Sequence, residues 1–232
     1  MLSVIPNPPP TLLPVVGTED VFPVRRVYCI GRNYAAHARE MGHDPNREPP
    51  FFFMKPADAV VPVPAGEVFD LPYPPMTQSY HHEVEMVVAL GAGGRNIAAD
   101  RALDHVYAYA VGLDMTRRDL QDDAKQLRRP WEIAKAADAS GPVGPLHPAE
   151  RVGHPTRGPI TLRCGDEARQ RGDLSDMIWS VPEQIAFLSG YFELAPGDLI
   201  FSGTPEGVGA AERGEVLTAA IEGLGEIRLR LV

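Results

Sequence analysis

Residues 82–90 read HEVEMVVAL, two carboxylates two residues apart running straight into an apolar stretch. The stretch predicts a strand, and on a strand side chains two apart point to one face. Glu83 and Glu85 would then project together. Burying two like charges side by side is costly without a cation to compensate them. Two solutions stay open at this point: a divalent metal between the carboxylates, or a solvent-facing edge of an amphipathic strand. Asp114 adds weight to the first. It follows VYAYAVGL (106–113), a second apolar strand that should lie in the interior. Three carboxylates with no cysteine nearby would make a hard oxygen site, suited to Mg2+ or Mn2+ rather than Zn2+. His82-Glu83 does not open a zincin motif, because position 86 is Met and HExxH is absent.

The rest of the chain predicts strand and turn more than helix. It carries 24 prolines and 22 glycines in 232 residues, high for a helical bundle but short of a low-complexity chain. Residues 1–24 read as a Pro-rich arm, lying over the body or partly loose, and 25–232 as one domain. Further strands are predicted at 25–30, 51–54 and 198–202, with hairpins at 160–175 and 215–231. Short helices are predicted after Asn33, read as an N-cap with Gly42 as its stop, at 99–105, at 116–128, and from Pro182 to Ser189 ended by Gly190. Residues 57–81 and 136–160 read as turn and loop. Strands do not alternate with long helices, which argues against a doubly wound parallel sheet. The net charge of −9 argues against nucleic acid and anionic membranes as partners. No apolar run reaches the ~18 residues of a membrane span. Cys29 and Cys164 stand alone, and no basic residue precedes Arg25. A reducing, cytoplasmic setting is the expectation.

Other pairs admit chemical and bland readings alike. His37 and Glu40 share a helix face: a carboxylate that prepares a general base, or a surface ion pair. Arg118 and Gln121 are a carboxylate clamp or a solvated helix face. Lys135, after Trp131-Glu132-Ile133-Ala134, is aimed inward or snorkels. Ser202-Gly203-Thr204-Pro205 offers a hydroxyl and N–H groups, or is only a turn.

Taken together, GRNYAAHARE (31–40), FFFMKP (51–56), HHEVE (81–85), GLDMTRRDLQ (112–121), WEIAK (131–135) and FSGTPEGVG (201–209) resemble the fumarylacetoacetate hydrolase superfamily over residues 25–232. Within it, FPVRRVYCIGRNY and AREMGHDPNREPPFFFMKPADA are most similar to the acylpyruvate group that hydrolyses fumarylpyruvate in gentisate degradation. The resemblance implies an α+β fold with a β-rich mixed rolled sheet and short flanking helices, and a homodimer. It implies a divalent cation, Mg2+ or Mn2+, on Glu83, Glu85 and Asp114. It implies a water-activating dyad of His37 and Glu40 on a segment that orders as a lid. Lys135 would be catalytic, and Arg118, Gln121 and Thr204 would contact the ligand. The implied reaction is hydrolysis of a C–C bond in a 2,4-diketo acid. Oxaloacetate decarboxylation or isomerisation of a hydroxymuconate-type acid are the alternatives on the same fold.

Overall fold

The computed structural model describes residues 3–40 and 48–232. Its main sheet is mixed. In spatial order it runs Phe51–Lys55, Val27–Gly31, Leu199–Phe201, Val84–Leu90, Val106–Leu113, Gly141–Val143 and Val60–Pro62, with His147–Pro148 also on Val106–Leu113. Two neighbour pairs are parallel, 27–31 with 199–201 and 141–143 with 60–62; the others are antiparallel. A second sheet of five strands joins Glu167–Asp173, Pro159–Cys164, Val216–Ile221, Gly225–Leu231 and Val68–Leu71. The fold is α+β and β-rich, with short helices at its margins.

The central strands are apolar throughout because both faces of the main sheet are covered. Val84, Met86, Val88 and Leu90 point into a core shared with Ile160, Leu162, Leu217 and Leu229 of the second sheet. Val87 and Ala89 point the other way, into a core closed by Leu13, Val15, Phe22 and Val24. Those four belong to or flank a hairpin, Leu12–Pro14 with Val21–Pro23. From Leu12 onward, then, the Pro-rich arm is packed as a cover for one face of the sheet.

Several local expectations are corrected. Residues 57–81 and 136–160, read as turn and loop, hold strands of two to four residues. Too short for a period of two to register, they exist because long neighbours pair with them. The 99–105 segment is a 3-10 helix. The helix Val181–Tyr191 runs through Gly190, and Ser180 with Glu183 forms a capping box at its start. Asn33 is no helix cap. Its side-chain amide donates to Trp179 O at 2.9 Å and Ser202 O at 2.8 Å, and accepts from Trp179 N at 2.7 Å. Gly42, the expected stop, lies outside the described residues.

Candidate active site

The strand expected over 82–90 is broken at its acidic end. Tyr80–His82 pairs with Thr116–Arg117 and Gly209–Ala210 in a small third sheet, whereas Val84–Leu90 runs in the main one. Glu83 is the single residue between them. Asp114 occupies the matching corner of the partner strand, and its N–H donates to Glu83 O at 2.9 Å. Glu85, one step inside the main sheet, sits opposite Gly112. The corners turn both polar side chains out of the apolar layers while keeping them under protein. Glu83, Glu85 and Asp114 are 4%, 2% and 0% exposed, and one oxygen from each lies within 4.8 Å of the others. The solvent-facing edge is thereby excluded.

Three cations surround them. Lys135 Nζ lies 2.7 Å from both Glu83 Oε2 and Asp114 Oδ2. Arg118 donates to Glu83 Oε1 and to Gln121 Oε1. Lys55 Nζ lies 2.8 Å from Asp114 Oδ1. Lys135 is buried on the short helix Glu132–Lys135, so it does not snorkel. Trp131 anchors that helix edge-on against Phe51, ring centroids 5.6 Å apart. Arg118 and Gln121 are also buried, on the inner face of Arg118–Gln126.

Burial alone would raise the Glu83 carboxyl, but the Lys135 and Arg118 cations override it and hold it well below the usual carboxylate range. Glu85 behaves oppositely. Burial, with the negative charges of Asp114 and Glu83 beside it, pushes its carboxyl well above the usual value. It accepts one hydrogen bond, from Gly203 N at 2.7 Å, and among the described residues it has no salt bridge. Three hard oxygen donors, one of them lacking a cation, fit a divalent metal.

His37 stands on the six-residue helix Ala35–Glu40. Its Nδ1 is 3.3 Å from Glu40 Oε2, and both Glu40 oxygens accept from Gly207 N at 3.1 Å. Burial pulls the His37 imidazole below its ordinary value, offset only partly by Glu83 and Glu40. Burial thus favours the neutral ring. His37, Glu83, Glu85, Asp114, Arg118, Gln121, Lys135 and Thr204 all line one cleft, rimmed by Phe51, Phe53 and Trp131. Glu40 reaches that cleft through His37.

Lys55 escaped the sequence reading. Its signal was the mirror of Asp114: a charged residue closing an apolar strand, FFFMK. Gln170, which touches Thr204, carried no signal at all, being one polar residue in the polar hairpin strand EARQRGD.

Comparisons with known proteins establish the family. The model of the fumarylacetoacetate (FAA) hydrolase C-terminal family matches residues 26–232. The crystal structure of fumarylpyruvate hydrolase from Pseudomonas aeruginosa, in complex with Mn2+ and pyruvate, is 58% identical; it superposes with a TM-score of 0.98 over 100% of this chain and 99% of that one. The mitochondrial oxaloacetate tautomerase of Arabidopsis thaliana is 39% identical over 203 residues, 88% of this chain and 89% of the relative. A 5-carboxymethyl-2-hydroxymuconate delta-isomerase structure from Mycobacterium smegmatis is 30% identical, with a TM-score of 0.79 over 96% and 82% of the two chains. With a family match over nearly the whole chain and relatives of 30% identity or more along most of its length, the chain belongs to the fumarylacetoacetate hydrolase family.

Proposed function

We propose that this chain hydrolyses the C3–C4 bond of a 2,4-diketo acid, with fumarylpyruvate as the preferred substrate and fumarate and pyruvate as products. It would do so as a homodimer in the breakdown of aromatic compounds, with Mg2+ or Mn2+ on Glu83, Glu85 and Asp114. The observation that carries this reading is a buried imidazole, backed by a carboxylate, lining the same cleft as a hard-oxygen donor set. The relative solved with Mn2+ and pyruvate supports it.

When bound, the cation supplies Lewis-acid polarisation of the substrate's 2-oxo oxygen. The chain's own groups do the rest. Glu40 accepts a hydrogen bond from the Nδ1–H of His37, which leaves Nε2 as the basic nitrogen. Nε2 accepts a proton from water, and the hydroxide adds to C4. The C3–C4 electron pair leaves with C3 as the enolate of pyruvate, and the proton held on His37 goes to C3. Lys135 offsets the charge on Glu83 and Asp114 and faces the oxyanion that forms on C4. Arg118 and Gln121 grip the ligand, and Thr204 contacts it. Lys55, Arg118 and Lys135 already pair with two of the three carboxylates, Asp114 and Glu83, so cations and carboxylates are equal in number. A divalent cation would therefore make it net positive, as a dianionic substrate requires in a chain of −9.

The oxaloacetate tautomerase relatives favour a second reading. Tautomerisation moves a proton between carbon and oxygen and needs no attacking water; decarboxylation needs only the electron sink. The test is kcat/KM for fumarylpyruvate, acetylpyruvate and oxaloacetate, in wild type and His37→Ala. Hydrolysis should fall on the order of 10²–10⁴-fold in the variant, the usual scale of general base catalysis, and any oxaloacetate decarboxylation much less. An equal fall in both removes the water-activating role. Oxaloacetate as the best wild-type substrate overturns the fumarylpyruvate assignment.

A further inference from the structure

Gln170 lies mid-strand in Glu167–Asp173 of the second sheet and is 1% exposed. All four of its amide hydrogen-bonding positions are used. Oε1 accepts from Val84 N at 3.0 Å and faces His82 Nδ1 at 3.1 Å. Nε2 donates to Thr204 Oγ1 at 2.8 Å and to Pro205 O at 2.9 Å. Turning the amide over would set its NH2 against the Val84 N–H, donor on donor. The orientation is therefore fixed by the backbone, and His82 must carry its proton on Nδ1.

Two glycines let the 202–209 loop come close enough for this. A Cβ on Gly207 would lie 2.0 Å from Arg169 O, and a Cβ on Gly172 would lie 2.6 Å from Pro205 Cβ. Loop and strand thus approach backbone to backbone at Arg169 and backbone to side chain at Gly172, on the two sides of Gln170.

A hydroxyl has one hydrogen to give and lone pairs to receive. Because Gln170 Nε2 fills the acceptor side of Thr204 Oγ1, the Thr204 O–H must donate elsewhere. Among the described residues no acceptor meets it, and Thr204 lines the cleft beside Glu85. We propose that Gln170 is a positioning residue that fixes Thr204 as a hydrogen-bond donor to an anionic oxygen of the ligand, and so tunes the cleft for carboxylate and enolate oxygens. This rests on the reading of the cleft as the ligand site. Gln170 also spans Val84 and His82, the residues flanking Glu83, so one amide sets the loop donor in register with the acidic corner.

The test is a double-mutant cycle read by calorimetric titration with oxalate in the presence of Mn2+, with melting temperatures recorded alongside. Thr204→Val should weaken oxalate about 10- to 100-fold, the range for a hydrogen bond to a charged group. Thr204→Ser should restore most of it. Gln170→Glu accepts where the amide donated, so it should capture the Thr204 O–H and weaken oxalate as much as Thr204→Val does. In that background Thr204→Val should add nothing. Gln170→Leu is the fallback if Gln170→Glu does not fold. It leaves the hydroxyl unlocked, and Thr204→Val should cost clearly less there than in wild type. Equal costs of Thr204→Val with and without the amide overturn the proposal, as does oxalate binding within twofold of wild type in folded Gln170→Glu. Because the readout is oxalate binding, a wild type that binds oxalate through this cycle but hydrolyses no diketo acid refutes the proposed function and leaves this inference standing.

Discussion

Replacing Lys55 with methionine removes one ammonium from a buried cluster while keeping a side chain of similar length and apolar stem. Lys55 is 1% exposed, so water does not take its place. Its Nζ lies 2.8 Å from Asp114 Oδ1 and donates to Met115 O at 3.2 Å, to Ser140 Oγ at 3.0 Å and to Lys135 O. Ser140 Oγ still covers Lys135 O at 3.2 Å after the change, but Met115 O loses this donor. Removing one partner of a buried ion pair costs about 3–5 kcal/mol. Asp114 keeps Lys135 at 2.7 Å, which puts the expected loss near the low end, about 3 kcal/mol. For a chain of this size each kcal/mol shifts Tm by about 2–4 °C, so the variant should melt about 6–12 °C lower. Circular dichroism melts in chelator would read this directly. A divalent cation at a hundred times its dissociation constant should add about 2.7 kcal/mol to variant and wild type alike. A variant melting within about 2 °C of wild type in chelator would show that pairing at Asp114 contributes no net stability, and the argument from charge balance would fail.

Chelation should abolish turnover and Mg2+ or Mn2+ should restore it; full activity in excess chelator would falsify the metal assignment. Glu85→Ala should lose both turnover and the cation-induced rise in Tm while staying folded, because apo Glu85 stands against Asp114 and Glu83 without a salt bridge of its own. The acid limb of kcat/KM should fall below pH 6.5, since burial lowers the His37 pKa from that value. The fold favours the neutral ring, so the stability this gives is kept above 6.5 and erodes as pH falls through the lowered pKa; a limb above 6.5 sinks the assignment. Hydrogen exchange in residues 31–40 should slow when oxalate and Mn2+ are both added, and unchanged exchange would count against a lid.

The long central strands are legible because an apolar run without alternation signals a sheet covered on both faces, and the apolar run 106–113 coincides with the strand Val106–Leu113. The nine candidate site residues were named mainly through resemblance. Their own local signals, an HxxE or an RxxQ on a short helix, fit a solvated face equally well. What stayed hidden is what tertiary contact decides. No periodicity shows that the strand changes sheets at Glu83, since His82 and Val84 suit either side of the break. Asn33 followed by alanines looks like a cap, yet its amide is spent on Trp179 and Ser202, 146 and 169 residues away. Lys55 and Gln170 contact partners from 34 to 88 residues distant, which local patterning does not encode.

The place of Leu199–Phe201 in the main sheet bears on how the chain folds during synthesis. This three-residue strand separates Val27–Gly31 from Val84–Leu90, and both pair with it directly. Until some 200 residues have left the ribosome, the two halves of the sheet face each other across a missing strand, each with an unpaired edge. The loop that follows it brings Gly203 to Glu85 and Gly207 to Glu40. No partial chain can therefore assemble the cleft ahead of the rest. Such long-range closure is slow and leaves apolar edges open to association. Chains stalled or truncated before residue 199 should thus be aggregation-prone clients of chaperones and proteases, with no shorter active form.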